Sequence, residues 1–120
     1  DNSQQQYLKF LPTNGNYYTW IAPTFGTNWG NYGSSYNTAG YYRDGDGVVH
    51  LKWLVTGGSY SSSALLFTLP AGFRPGGRCL FTISSGNSLG RLDIGTNGNV
   101  IPYVGSSWLS LDGISFKAEQ

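Results

Sequence analysis

The feature of this sequence that most constrains its fold is the regular interruption of the chain by glycine, asparagine, aspartate and proline. Glycine alone provides 18 of the 120 residues, so turns are frequent along the whole chain. No stretch shows the apolar repeat and capping residues of an amphipathic helix. The segments between the interruptions are short and rich in residues that favour strands. The sequence therefore predicts an all-β fold built from many short strands.

Ten of these segments are candidate strands. They cover residues 7–11, 17–21, 39–43, 48–56, 64–69, 79–83, 91–94, 100–104, 108–111 and 114–117. So many short strands in one chain favour an antiparallel β-sandwich or barrel. Two of the intervening segments are specific hairpin turns, Asp-Gly-Asp-Gly at residues 44–47 and Thr-Asn-Gly-Asn at residues 96–99. In both, glycine supplies the positive φ that a tight hairpin requires.

The candidate strand at residues 48–56 has two different faces. Successive side chains of a strand point to opposite sides of the sheet. Val49, Leu51, Trp53 and Val55 therefore share one apolar face, which we expect to meet the core. The intervening residues form the opposite face. This face is apolar at both ends and carries a histidine and a lysine in between. This mixed face suits either solvent or a contact between subunits.

Composition limits the classes of partner. Charged residues make up 11% of the chain and apolar residues 39%, which is enough for one compact domain with a core. Because few charges are available to cover a fully hydrated surface, the chain is expected to bury part of its exterior in an assembly. The net charge is +1 and the seven basic residues are scattered, so nucleic acid is not an expected partner. No apolar run is long enough to cross a bilayer, and membrane insertion is not expected either.

Aromatic residues make up 16% of the chain, and several lie in irregular segments among asparagine, serine and glycine. The flat C–H face of a sugar ring packs against tyrosine and tryptophan, and neighbouring asparagines can hydrogen-bond to its hydroxyls. The residues with this composition in the segments 23–40 and 57–63 are the candidate glycan-binding set. They are Asn28, Trp29, Asn31, Tyr32, Tyr36 and Tyr60. The alternative for each aromatic ring is packing in the core or in an interface.

Reactive groups are few, and each has an ordinary structural explanation. Cys79, the only cysteine, lies in an apolar run where a buried, inert thiol is expected. His50 is the only histidine, and no Gly-x-Ser-x-Gly motif accompanies it. Asp44 and Asp46 could bind Ca²⁺, but the later glutamate of an EF-hand loop is missing and a hairpin turn is favoured. No two carboxylates stand out as a glycan-cleaving pair. We therefore expect no enzyme activity, no catalytic residue, no cofactor and no metal ion.

A longer pattern of motifs runs through most of the chain. It comprises Trp20, residues 23–25, 28–33, 39–44, 47–52, 67–75, 97–100 and 108–116. Its most specific parts are the Pro-Ala-Gly-Phe-Arg-Pro segment after a strand and the Ser-Leu-Asp-Gly-Ile-Ser-Phe segment near the end. This pattern resembles the C-terminal head domain of bacteriophage tail fibres, minor tail proteins and related phage-tail-like particles.

The resemblance implies a fold and an assembly. The fold is an antiparallel β-sandwich head, jelly-roll-like, over residues 20–120, which follows a connector from the fibre shaft and the first strands at residues 1–19. The assembly is a homotrimer around the fibre axis. At one position the chain departs from the pattern, because Trp53 stands where the family usually has a small residue, often glycine. Contacts near Trp53 are therefore not carried over from the family.

The resemblance also implies a function. We expect the receptor-binding tip of a tail fibre, located at the distal end of the fibre on the virion, which attaches the particle to lipopolysaccharide or cell-wall polysaccharide on the bacterial surface. The alternative is a structural cap that trimerises and folds the fibre without a receptor site of its own. A glycan depolymerase is a third class with little support in the sequence.

Overall fold

The structure, a computed structural model, describes residues 19–120. The described part of the chain contains ten strands and no helix, and so no helix in it could span a membrane. The strands are β1 (Gly30–Asn31), β2 (Gly40–Arg43), β3 (Val48–Lys52), β4 (Leu54–Thr56), β5 (Phe67–Thr68), β6 (Cys79–Ser85), β7 (Ser88–Ile94), β8 (Asn99–Val104), β9 (Leu109–Ser110) and β10 (Ser115–Lys117). The predicted all-β class is confirmed.

The strands form two antiparallel sheets of unequal size. The large sheet has seven strands in the order β1-β4-β9-β6-β7-β8-β5, and the small sheet has three in the order β10-β3-β2. Apolar side chains from both sheets meet in one buried cluster. Tyr41 of the small sheet, for example, stacks on Phe67 of the large sheet with ring centroids 6.1 Å apart. The predicted antiparallel sandwich is therefore confirmed, with seven and three strands in its layers.

The prediction of one continuous strand from residue 48 to residue 56 is wrong. The chain leaves the small sheet after Lys52 and enters the large sheet at Leu54. Trp53, between them, has a φ of 127°, and its carbonyl accepts a 2.8 Å hydrogen bond from the backbone N–H of Leu111. The alternation of side chains is interrupted at this residue. Trp53 is therefore exposed, contrary to the expectation that it packs in the core, whereas Val55 is buried.

Local turn chemistry accounts for the hairpins. Both predicted turns form, and the backbone N–H groups of Asp44 and Gly95 bond across them to the carbonyls of Val48 and Asn99. A third hairpin, between β6 and β7, was missed. Its central residues, Gly86 and Asn87, both have positive φ values, 54° and 68°, as a type I′ turn requires.

Other strand predictions differ in extent or lie outside the described residues. The candidate strand at residues 64–69 is reduced to Phe67–Thr68, and the short strand Gly30–Asn31 was missed. The candidate strand at residues 7–11 lies outside the described residues, as does the predicted connector except for residue 19. The candidate strand at residues 17–21 is described only in part, where Ile21 forms an isolated antiparallel bridge with Tyr41.

The outer face of the large sheet carries exposed apolar side chains around a buried carboxylate. Residues directly opposite each other in antiparallel strands share a face. Leu80 lies opposite Asp93, and Arg91 lies opposite Val104, so these four residues share the outer face. Leu89, two residues before Arg91 on the same strand, lies on this face as well and is 73% exposed. We call this surface the β6–β8 outer face.

Two arginines neutralise Asp93. Its side chain is fully buried and lies 2.7 Å from Arg78 Nη2 and 2.8 Å from Arg91 Nε. Burial alone would raise the pKa of the Asp93 carboxyl, but the hydrogen bonds and charges of Arg91 and Arg78 outweigh it and hold the pKa below the ordinary value of 3.8. Because the folded pKa is depressed, the stabilisation is present above the unfolded pKa and is lost as pH falls through the folded pKa.

We predict that Asp93→Asn lowers the free energy of unfolding at pH 7 by roughly 1–3 kcal/mol, because hydrogen bonds to a charged acceptor are lost. The difference in unfolding free energy between wild type and variant narrows below about pH 4, because protons then bind to the Asp93 carboxyl of the unfolded chain and favour unfolding of the wild type. Urea unfolding at pH 7 and pH 3 measures both effects. Asp46→Asn, at an exposed turn carboxylate, is the control and changes stability by less than about 0.5 kcal/mol. An equal gap at both pH values contradicts the prediction.

Candidate functional site

A cleft of about 500 Å³ lies on the outward side of the small sheet. It combines aromatic walls with polar and charged groups, and we call it the tryptophan cleft. Its lining residues are Trp20, Asn37, Tyr42, His50, Leu51, Lys52, Trp53, Asp112, Gly113, Ile114 and Ser115. These residues come from β2, β3 and β10, from the turn before β10, and from three connecting segments.

The alternation of side chains in the small sheet explains why polar groups meet at this cleft. Tyr42 lies directly opposite His50, and Gly40 lies directly opposite Lys52. These four positions share the outward face, while the residues between them face the core. The mixed face that the sequence predicts for the histidine and the lysine is thus one wall of the cleft.

Trp20 forms a second wall above this face. Its ring meets the ring of Tyr42 edge-on at a centroid distance of 4.5 Å, and Lys52 Nζ lies 4.8 Å from the centre of the Trp20 ring. Both side chains depend on Gly40, since a Cβ at this position would lie 3.2 Å from Lys52 Cε and 3.3 Å from Trp20 Cβ. The absence of a side chain at residue 40 therefore allows the lysine and the tryptophan to pack together.

His50 is fixed between an aromatic ring and a carboxylate. Its ring stacks on Tyr42 at 4.8 Å, and its Nε2 is 2.8 Å from Asp44 Oδ2. The Asp44 carboxylate also accepts hydrogen bonds from the backbone N–H groups of Asp46 and Val48. Burial alone would raise the pKa of Asp44, but these hydrogen bonds, with that of His50 the strongest, lower it. Asp44 is therefore the acceptor that closes the hairpin.

The contacts of His50 and Asp44 can be compared with those that a catalytic triad or a calcium site would need. Within residues 19–120, no serine hydroxyl hydrogen-bonds to the ring of His50, and no group of three or more His, Cys, Asp or Glu side chains could hold a metal ion. The Asp44 carboxylate, the better placed of the two calcium candidates, is already occupied by hydrogen bonds from its own turn. The turn explains why the Asp-Gly-Asp-Gly sequence occurs here.

Asp112 and Asn37 bring polar atoms to the cleft rim that have no hydrogen-bond partner among the described residues. Burial raises the pKa of the Asp112 carboxyl, although the nearby charge of Lys52 opposes the shift. The carboxylate accepts no hydrogen bond from a described residue, and Lys52 forms no ion pair with one. Asn37 Oδ1 accepts the backbone N–H of Thr38 at 2.7 Å, so that the NH₂ group of Asn37 is left for other acceptors.

Trp53 forms the remaining aromatic wall, and its backbone is strained. A φ of 127° belongs to a region that favours glycine, and for a bulky side chain it is a true outlier. Residues held in such regions cost about 1–3 kcal/mol and cluster at functional sites. The side chain is 37% exposed, so it makes only part of the core contacts that could offset this cost.

Two of the six predicted glycan-binding residues are packed together, Trp29 buried and Tyr60 partly buried. Trp29 is 6% exposed and meets Tyr60 edge-on at 5.4 Å. Gly58 covers the Trp29 indole so closely that a Cβ there would lie 2.0 Å from its nitrogen. Tyr60 donates a 2.9 Å hydrogen bond to the Ser107 carbonyl and accepts one from Ser85. Trp29 is therefore largely covered by the protein, and it lines a smaller pocket of about 280 Å³ together with Thr27, Ser63 and Leu65.

The other four predicted residues lie in or beside an exposed loop. Asn28 has a φ of 70° and is exposed, and Asn31 Oδ1 accepts the backbone N–H of Ala39 at 2.7 Å. Tyr32 and Tyr36 form an exposed edge-on pair with centroids 5.2 Å apart. The structure thus brings the predicted aromatic residues together as two separate pairs, one largely covered by the protein and one exposed.

Sequence reasoning missed most of the tryptophan cleft. Trp20 and Asp112 come from segments distant in the chain, and only the folded topology brings them together. One signal for the site was present, namely a tryptophan where the resembling family usually has a small residue. It indicated local repacking, but the structure shows that Trp53 lines a cleft on the surface.

Comparisons with known proteins identify the fold. No family model and no curated protein sequence matches the chain. Among solved structures, the chain is similar to the receptor-binding protein gp15 of Listeria phage PSA, with a TM-score of 0.69 and 16% sequence identity over 99% of this chain and 73% of that chain. At this identity the likeness establishes the fold. The chain has the fold of a phage receptor-binding protein, in agreement with the resemblance found in the sequence.

We predict that Trp53→Gly is more stable than Trp53→Ala by about 1 kcal/mol. Both variants lose the indole, but only glycine removes the Cβ that makes a positive φ unfavourable. Thr82→Gly and Thr82→Ala in the middle of β6 are the control pair, in which alanine is expected to be the more stable by about 0.5–1 kcal/mol. Urea unfolding of the four variants measures both differences. The same order at both positions would show that Trp53 is unstrained.

Proposed function

We propose that the chain is a receptor-binding module of a phage-type tail fibre and that it binds a bacterial surface saccharide in the tryptophan cleft. The observation that carries this proposal is Trp53, a bulky residue in a glycine-favoured conformation whose ring lines the cleft. Strain at an exposed aromatic residue reduces stability, and contact of its ring with a ligand is a role that accounts for this cost. The fold shared with a phage receptor-binding protein supports the same assignment.

The cleft offers both kinds of contact that a sugar requires. Trp20 and Trp53 are 39% and 37% exposed and provide apolar rings. The Asp112 carboxylate can accept hydrogen bonds from hydroxyls, and the Asn37 NH₂ can donate one. Lys52 is held on the ring of Trp20 and can donate to a ring or hydroxyl oxygen. This combination of apolar rings and convergent polar groups is typical of small-ligand sites.

The ligand that we propose is a component of lipopolysaccharide or cell-wall polysaccharide, which the domain would reach from the distal end of the fibre. An open cleft of this kind binds one sugar weakly, with a Kd near ~1 mM. Several copies that engage a repeating polymer at the same time strengthen binding by ~100-fold or more. The role is attachment without cleavage, since the cleft contains one carboxylate, that of Asp112, where glycan hydrolysis uses two.

We predict that Trp53→Gly abolishes binding while the protein remains folded. The measurement is retention of the labelled protein on a panel of purified bacterial lipopolysaccharides and cell-wall polysaccharides, together with whole cells. Loss of one aromatic wall is expected to lower affinity by roughly tenfold or more, which removes detectable retention from a weak site.

Leu65→Ala is the matched control for this experiment, because it also removes an exposed apolar side chain, but one that lines the smaller pocket beside Trp29 and not the tryptophan cleft. This variant should bind as the wild type does. An equal loss of binding in both variants would indicate non-specific hydrophobic adhesion. Undiminished binding by Trp53→Gly would place the receptor site elsewhere. Release of reducing sugar from a bound polysaccharide would contradict the non-enzymatic assignment.

We further propose that three copies assemble through the β6–β8 outer face. The support is the low charge of the chain and the exposure of Leu80, Leu89 and Val104 on one face of a regular sheet. Several exposed apolar side chains on one sheet face favour contact with another protein surface. A second copy of the chain is the occupant that the resemblance to trimeric fibre heads favours.

We predict that Leu89→Asp converts a trimer into a monomer, because it buries an unpaired charge in the interface. Sedimentation velocity at micromolar concentration gives the mass of each species. Leu65→Asp, an equal change at an exposed leucine on another surface, should stay trimeric. A monomeric wild type excludes the trimer, and equal dissociation of both variants assigns the interface to another face.

The β6–β8 outer face also supports the alternative function, a trimerisation cap without a receptor site. Deletion of residues 20–120 from the parent fibre distinguishes the two functions. A fibre that no longer forms trimers indicates a cap, whereas an intact trimer that no longer adsorbs to cells indicates the receptor-binding tip.

A further inference from the structure

We propose that the binding surface continues from the tryptophan cleft onto the exposed pair Tyr32 and Tyr36, so that the ligand is an oligosaccharide of at least two sugar units. This inference rests on the proposed saccharide-binding function and specifies the size of the ligand. It assigns Tyr32 and Tyr36 to a second subsite next to the cleft.

The loop that carries the tyrosine pair is closed at its base and within its turn. Asn31 Oδ1 accepts the backbone N–H of Ala39 across the base of the loop at 2.7 Å. Within the loop, the backbone N–H of Tyr36 donates to the Gly33 carbonyl at 3.1 Å. These bonds fix the positions of both tyrosines without a ligand, and a preformed surface loses less entropy when it binds.

Two connections place this pair beside the cleft. The backbone N–H of Tyr32 donates a 3.0 Å hydrogen bond to the carbonyl of Leu54, the residue directly after Trp53. Asn37, which lines the cleft, directly follows Tyr36 in the chain. Adjacent Cα atoms are about 3.8 Å apart, so Tyr36 lies directly beside one cleft residue and Tyr32 is bonded to the neighbour of another.

The tyrosine rings have the properties of a sugar platform. Tyr36 is 52% exposed and Tyr32 is 41% exposed, and their edge-on contact leaves ring surface open on each. Neither hydroxyl hydrogen-bonds to a described residue, and so both hydroxyl groups can bond to a ligand. A polymer that leaves the cleft past Asn37 therefore meets apolar ring surface with free hydroxyls at its edge.

The test compares ligand lengths. The probes are fragments of one, two and four sugar units, made by partial hydrolysis of the bacterial surface polysaccharide that the wild-type chain retains most strongly. Calorimetry gives the affinity for each length. The wild type is expected to bind the four-unit fragment roughly three- to tenfold more tightly than the one-unit fragment, after correction for the number of equivalent repeats.

Three variants test whether the tyrosine pair causes the increase in affinity with fragment length. The double variant Tyr32→Ala with Tyr36→Ala is expected to lose the gain and to keep the affinity for one unit. The double variant Tyr32→Phe with Tyr36→Phe keeps both rings and retains most of the gain. Trp53→Gly loses affinity for all lengths, because it removes a wall of the cleft itself.

The outcomes separate the inference from the function on which it rests. Equal wild-type affinity for one and four units, together with loss in Trp53→Gly, overturns the second subsite and leaves the cleft as a site for a single sugar. An unchanged length dependence in the double alanine variant also overturns it. Absence of wild-type binding to fragments of every length, and to the intact polymer, rejects the saccharide-binding function and the subsite with it.

Discussion

The transfer of the chain from one sheet to the other at Trp53 is the constraint on which the rest of the structure depends. β3 belongs to the small sheet and β4 to the large sheet, and one residue connects them. Because the transfer is completed within one residue, the alternation of side chains is broken there. Leu51 before it and Val55 after it both stay in the core, while the indole lines the surface cleft. The connection that closes the sandwich thereby also supplies a wall of the candidate site.

The two faces of the small sheet have different roles, because side chains alternate between them along each strand. Its inner face supplies Tyr41, Val49 and Phe116 to the common core, and this face needs only apolar residues. Its outer face is free of that requirement, and here Tyr42, His50 and Lys52 can be polar at little cost to stability. Three strands are enough because the large sheet and the loops cover the remainder of the core. A site on such a face is rigid, since the core holds its floor from below.

The sequence was most informative where structure is determined locally. The hairpins at Asp44 and Asn97 are predictable from sequence because glycine and asparagine determine the backbone conformation of a turn of only four residues. Packing over long distances was not accessible in the same way, since the burial of Trp29 depends on Gly58 and Tyr60, about thirty residues away. A composition rich in aromatic and small polar residues selected Trp29 and Tyr36 alike, although only Tyr36 is exposed. Composition selects candidate rings, but topology decides which of them are exposed.

The proposed binding and the proposed assembly are physically compatible because they use opposite outer faces of the sandwich. The tryptophan cleft lies on the small sheet, and Leu80, Leu89 and Val104 lie on the outer face of the large sheet. Burial of the second surface between copies leaves the first exposed on every copy. The low charge of the chain then fits two proposed contact surfaces with different partners, one a second copy and the other a saccharide. Weak single sites become useful under this arrangement, since a polymer with many repeats can occupy several of them at once.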